Sequence, residues 1–175
     1  VTIMDNDAEI KDREINKENY RQDKKQAYLD RFNNTSDAYD NLKNIYQNNY
    51  DVADQYKQYA ELLDVSVPKE ILDYQMQQQE NQLDAVLDEK AELEKQLAEA
   101  IASGEIVVGD SKWVEMTNSI NDTTKEANDL RYSIEEIKQE IQSLSFDAFN
   151  DIKDSFGNVN DVFDDRQAYI EEYMN

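Results

Sequence analysis

Two series of apolar residues at alternating three- and four-residue spacing dominate the chain and flank one glycine-bearing stretch. The first reads Leu72, Met76, Gln79, Leu83, Val86, Lys90, Leu93, Leu97 and Ala100; the second reads Trp113, Met116, Ile120, Thr123, Ala127, Leu130, Ile134, Ile137, Ile141 and Leu144. That spacing keeps side chains on one helical face, so each series predicts a long helix with an apolar seam. Set antiparallel, Ala100 faces Trp113, Leu97 faces Met116, Leu93 faces Ile120, Val86 faces Ala127, Leu83 faces Leu130, Met76 faces Ile137 and Leu72 faces Ile141. The residue numbers of every pair add to 213. A constant sum is what a helical hairpin folded about its own tip requires, since each step down one arm must match a step up the other. At about 1.5 Å per residue, arms of about 32 residues reach roughly 48 Å. The polar layers Lys90/Thr123 and Gln79/Ile134 read as register devices or as a lysine stem snorkelling out of the seam.

The tip spans 103–112, within Ser103-Gly104-Glu105-Ile106-Val107-Val108-Gly109-Asp110-Ser111-Lys112-Trp113. Gly104 suits the left-handed residue that ends a helix, and Asp110 or Ser111 can cap the next one. Glu105 to Val108 reads as a short extended run whose β-branched side chains either close over Trp113 or pair with another chain. Trp113, in the first turn of its helix, reads as a core plug beneath the tip.

The flanks are less regular. From Asn6 to Asn33 a broken stripe of Ile10, Ile15, Tyr20, Ala27, Tyr28 and Phe32 predicts a helix that should stop at Asn33-Asn34-Thr35-Ser36, where Thr35 or Ser36 can cap the next. Tyr39, Leu42, Tyr46, Ala53, Tyr56, Ala60 and Leu63 then predict one packing face, widened by Ile45, Tyr50, Val52 and Tyr59. Asp64 to Pro68 ends that helix, because the residue before proline is pushed out of the α region. Past Leu144, Ser145 should cap a short helix carrying Phe146, Phe149, Ile152 and Phe156. Gly157-Asn158 should stop it, and a last helix is expected through Val159, Val162, Phe163, Tyr169, Ile170 and Tyr173. The expected fold class is therefore all-α: an elongated antiparallel helical hairpin over 68–145, an N-terminal segment of two helices over 1–65, and short amphipathic helices over 146–175.

Composition narrows the function. With 33% charged residues, one proline and three glycines, the chain has the make-up of long helices. A formal charge of −22 repels phosphate backbones and anionic lipid, so this segment is not expected to bind nucleic acid directly. Neither cysteine nor histidine occurs, which removes disulfides, thiolate chemistry and the commonest general base and metal ligand. No apolar run approaches the roughly 20 residues of a membrane span. Carboxylate pairs such as Glu135/Glu136 and Asp164/Asp165 read as solvated helix faces, and Asp5-Asn6-Asp7 lacks the glycine and closing glutamate of a calcium loop. Gly104 to Gly109 lacks the lysine and hydroxyl sequel of a phosphate cradle. No catalytic, cofactor or metal site is expected, and no enzyme. The chain opens on Val1 and stops at Asn175 without a closing structural signal, as a segment of a longer protein would.

The passage from Ser103 through Trp113-Val114-Glu115-Met116, then Ile120-Asn121-Asp122 and Phe146-Asp147-Ala148-Phe149, resembles a helical unit of tail tape measure proteins from long-tailed phages and prophages of Gram-positive bacteria. The likeness covers about residues 70 to 160. It differs in having Ser145-Phe146-Asp147 where the unit has a tryptophan, and in holding a single copy. The resemblance implies a non-enzymatic scaffold in the virion tail, assembled in the bacterial cytoplasm, oligomeric, with tail tube or tail tip proteins as partners. The alternative is a secreted or cell-surface helical hairpin that docks a partner through Gly104, Glu105, Ile106, Val107, Val108, Gly109 and Trp113. In either case Leu83, Val86, Leu93, Leu97, Met116, Ile120, Leu130, Ile134, Ile137 and Ile141 form the hairpin seam.

Overall fold

A computed structural model describes the backbone of residues 2–156 and the side chains of 6–144 and 147. The chain is all-α over those residues, with three helices: α1 Thr2–Leu62, α2 Lys69–Ala102 and α3 Ser111–Phe156. Close contacts divide it into two units that cut across the helices. One joins Val1–Asn44 to Leu83–Asn128, the other Ile45–Gln82 to Asp129–Asn175. The N-terminal segment is thus not a unit of its own; each unit takes a piece of every helix.

Two expected breaks are absent. α1 runs through Asn33-Asn34-Thr35-Ser36, whose modest helix propensities cost only tenths of a kcal/mol each and include neither glycine nor proline. Thr35 and Ser36 do not cap a helix. Thr35 Oγ1 donates to the Arg31 carbonyl at 3.0 Å and accepts from Gln96 at 2.8 Å, while Ser36 Oγ donates to Glu89 at 2.8 Å. Tertiary contact overrides the local preference. α3 likewise continues through Ser145 and the aromatic-Asp-aromatic segment to Phe156, again without a breaker. The side chains of Phe146, Phe149, Ile152 and Phe156, the stop at Gly157-Asn158 and the last expected helix lie outside the described residues.

In the first unit, Leu29, Phe32, Leu93, Ala100, Ile106, Met116 and Ile120 form one buried cluster, with Tyr28, Leu97 and Trp113 packed against it. The upper seam pairs Ala100/Trp113, Leu97/Met116 and Leu93/Ile120 all fall inside this cluster. Lower down, Val86 and Ala127 are buried and Leu83 is half-buried. Lys90, also half-buried, sends its ammonium out to Glu94 at 3.8 Å, and Thr123 satisfies its hydroxyl on the Ile120 carbonyl at 2.7 Å. In the second unit, Leu72, Ile134 and Ile137 are buried while Met76, Leu130 and Ile141 are half-buried. Buried Gln79 reaches sideways to donate to Ser133 Oγ at 2.7 Å.

α1 packs on only part of the face its apolar residues suggest. Its inward series in the first unit is Leu29, Phe32, Ser36, Tyr39 and Lys43; in the second it is Tyr46, Tyr50, Ala53, Lys57 and Ala60. Tyr39, Tyr46, Ala53 and Ala60 belong to the expected stripe and Tyr50 to its widened face, but Leu42, Tyr56 and Leu63 are exposed, and Lys43 and Lys57 take inward places. Ile10, Ile15 and Tyr20 are exposed as well.

Hydrogen bonding ends the helices cleanly. Asp64 takes a left-handed φ of +53°, with Asp64 N–H donating to the Glu61 carbonyl and Val65 N–H to Ala60, the paired pattern that satisfies the last carbonyls of α1. At the hairpin tip Gly104 plays that part with φ +76°. A Cβ there would meet nothing within 4 Å, so the glycine is set by conformation and not by space.

Candidate functional site

The sequence points to the tip, so its geometry comes first. Asp110 is the residue that caps α3: Oδ1 accepts from Trp113 N–H at 2.7 Å and Oδ2 from Val107 N–H at 3.1 Å. These bonds, that from Trp113 foremost, hold the Asp110 carboxyl below the ordinary aspartate value. They also tie Val107 into a turn, so Glu105 to Val108 is not a strand. Ile106 is 1% exposed, turned into the core cluster, and its N–H donates to the Ala100 carbonyl at 3.2 Å. Val107 and Val108 remain outside, at 60% and 62% exposure.

Reading the tip as a contact run therefore needs correction at its centre. Ile106 closes the core, and Trp113 is half-buried against the same cluster. α1 covers this end of the hairpin with Tyr28, Leu29 and Phe32. Around the rim Lys24 lies 3.6 Å from Glu105, Lys112 donates to Gln26 at 3.2 Å, and Arg31 pairs with Glu99 at 3.2 Å and Glu92 at 4.0 Å. Of the expected contact residues, Gly104, Val107, Val108 and Gly109 are exposed and Glu105 is half-buried.

A second constellation, missed by an apolar reading, lies where α1 meets α2 and α3 in the first unit. The Lys43 ammonium sits 2.8 Å from Asp40, 2.8 Å from Glu89 and 3.0 Å from Glu126, and Glu89 keeps only 2% of its side chain exposed. Burial alone would push the Lys43 ammonium down. The hydrogen bonds to Asp40, Glu89 and Glu126 outweigh it and hold this lysine above its ordinary value. Nearby, burial first, and then the carboxylates of Asp88, Glu92 and Glu89, push the Tyr39 phenol up.

Polar contact between α1 and α2 continues within each unit. In the first, Gln96 meets Thr35. In the second, Gln82 donates to Gln47 at 2.9 Å, Asn49 donates to Gln78 at 3.0 Å and Gln75 donates to Asp54 at 3.4 Å. Residue numbers fall on α2 as they rise on α1, so the two run antiparallel in each unit. α1 runs parallel to α3: Lys112 meets Gln26 and Glu126 meets Lys43 in the first unit, and Lys57 lies 2.6 Å from Glu140 in the second. The sequence did hold a signal for this. Gln75, Gln82, Glu89 and Gln96 recur every seven residues on α2, a polar heptad beside the apolar one, and all four are buried.

These groups hold helices together. Every carboxylate around Lys43 accepts from that ammonium. Glu135 and Glu136 are exposed, and Asp164/Asp165 lie outside the described residues. Among the described residues no group of three or more acidic side chains is placed to hold a metal ion, and no helix is long and apolar enough to cross a membrane. Comparison of the chain with protein families, with curated proteins and with solved structures found no match.

Proposed function

We propose that the chain is a non-enzymatic scaffold segment of a phage tail tape measure protein, assembling through helix packing inside or at the end of the tail tube. The observation that carries the scaffold part is the placement of its chemistry. The most buried charges, Lys43 and Glu89, are engaged between helices, and the tip glycines shape a turn closed by Ile106. The tail assignment rests on the resemblance of Ser103 to Met116 and Ile120-Asn121-Asp122 to the tape measure unit. An acidic charge of −22 suits a component that must not hold DNA. Mass spectrometry of purified phage tails should find peptides of this chain; complete tails without them overturn the assignment.

One observation favours a second reading, a secreted or cell-surface module that docks by its tip: Val107 and Val108 are exposed there. It predicts that replacing both with serine abolishes partner capture while the helix content stays the same. Unchanged capture removes it.

A further inference from the structure

The outer flank of α1 in the second unit carries an apolar series that, among the described residues, no part of that unit covers. Ile45, Val52, Tyr56, Tyr59 and Leu63 are each 51–66% exposed, and Leu62 beside them is 79% exposed. They follow a four-three alternation from 45 to 63 on a flank turned away from α2 and α3, interrupted at Asn49, which is half-buried and donates to Gln78 on α2. Six side chains this large and this exposed offer roughly 700 Å² of mainly apolar surface. That is above the few hundred Å² usual on a monomer and close to the roughly 800 Å² per partner of a specific interface.

Charge identifies the occupant. The chain as a whole carries −22, so two copies repel wherever their acidic faces meet. From Ile45 to Leu63 the charged residues are Asp51, Asp54, Lys57 and Glu61, and three of them are engaged within the unit: Asp51 accepts from Gln47, Asp54 accepts from Gln75 and Lys57 pairs with Glu140. The outer border of the series is Asn48, Gln55 and Leu62, every one uncharged. A basic partner would be drawn to the acidic faces; a neutral apolar seam bordered by amides matches another of its kind. The chain supplies one in its own copy, and a two-fold contact needs a single self-complementary patch.

We infer that two copies of the chain associate through this face of α1, with the two helices antiparallel. In that register Ile45 meets Leu63 of the second copy, Val52 meets Tyr56, and Tyr59 lies over the place of Asn49, whose side chain stays on Gln78. The two central layers then set a tyrosine against a smaller place, Val52 or the gap at Asn49, as even packing requires. A parallel pair would stack Tyr56 on Tyr56 and Tyr59 on Tyr59 while leaving the Val52 layer thin.

The inference deepens the scaffold reading and rests on its premise that the chain works through protein surfaces. The test is sedimentation of the full chain across a micromolar concentration series, beside a variant carrying Val52→Glu and Tyr59→Glu. The wild type should form a dimer. The variant should stay monomeric at every concentration with unchanged helix content, since both side chains are exposed, and its melting temperature should lack the concentration dependence of the dimer. A wild type that is monomeric at tens of micromolar overturns the proposal, as does a variant that still dimerises. Because the chain has no cysteine, mixing V52C with Y56C chains reads the register. A disulfide formed in the mixture but not by either chain alone is expected, and bridges formed by each chain alone overturn the antiparallel pairing. A chain that dimerises in this way yet is missing from purified tails sinks the tail assignment and leaves this inference standing. A monomeric chain found in tails does the reverse.

Discussion

The ammonium of Lys43 lies 2.8 Å from the carboxylate of Glu89, and both side chains are almost wholly withdrawn from water. Taking two charges out of solvent costs several kcal/mol each, which their attraction offsets only when geometry is good and the remaining donors and acceptors are satisfied. Here they are: Lys43 also reaches Asp40 and Glu126, and Glu89 also accepts from Ser36. The contact fixes α1 against α2 and α3 at one height in the first unit, because a shift of one turn would strand both charges.

Lys43→Met should therefore destabilise the chain by about 3–5 kcal/mol, since it leaves the Glu89 carboxylate buried without its cation. Lys43→Met combined with Glu89→Leu should recover most of the loss, because a buried ion pair replaced by apolar groups of similar volume is close to neutral. Urea denaturation of the two variants checks this. Equal losses in both would mean that the pair is not coupled.

The same group sets an alkaline limit. The Lys43 value is raised in the folded chain above the ordinary 10.5, so its contribution is complete below about that pH and is lost as pH rises through the higher folded value. Tyr39 and Tyr50, held neutral first by burial, add to the same limb. Asp110 acts at the other end. Its value is lowered below 3.8, so its contribution is present above that pH and is lost as pH falls through the folded value. The urea midpoint should stay level from pH 5 to 9 and drop on both sides. Lys43→Met should flatten the alkaline drop, and Asp110→Asn the acid one.

Which face of α1 packs is tested by two substitutions on one helix. Phe32 is fully buried in the cluster beneath the tip, and Phe32→Ala should cost about 3–5 kcal/mol. Leu42 belongs to the stripe that the sequence favours but stands exposed, so Leu42→Ala should change stability by no more than about 0.5 kcal/mol. Thermal melting ranks them. The opposite order would put the apolar stripe inside.

The contrast between Phe32 and Leu42 shows what the sequence could reveal. The seam of α2 and α3 was legible because leucine, isoleucine and methionine mark it at heptad spacing, and burial at Val86, Leu93, Met116, Ile120, Ile134 and Ile137 follows that pattern. The tip was legible through Gly104 and Asp110, whose backbone roles leave little choice of residue. The inward face of α1 was legible only in part. Phe32, Tyr39, Tyr46, Ala53 and Ala60 lie on it as expected, but Ser36, Lys43 and Lys57 share it, polar side chains that pack because partners on α2 and α3 satisfy them, while Leu42, Tyr56 and Tyr59 lie outside. Apolar periodicity finds faces closed by the hydrophobic effect and passes over faces closed by hydrogen bonds. The direction of Ile106 was hidden for a related reason: three β-branched residues in a row do not say which of them turns inward, and only the covering Leu29 and Phe32 decide it.

Thiol cross-linking tests most directly the central claim that α1 lies antiparallel along α2 through a polar seam. The chain has no cysteine, so introduced pairs report alone. Thr35→Cys with Gln96→Cys in the first unit, and Gln47→Cys with Gln82→Cys in the second, replace partners that now lie 2.8 Å and 2.9 Å apart. Both pairs should be bridged within one chain by a short bismaleimide, because side chains that meet at their tips leave the Cβ atoms wider apart than the roughly 4 Å of a direct disulfide, and Glu61→Cys with Gln82→Cys should not. Closure of the control pair, or failure of both seam pairs, would contradict this account of the fold.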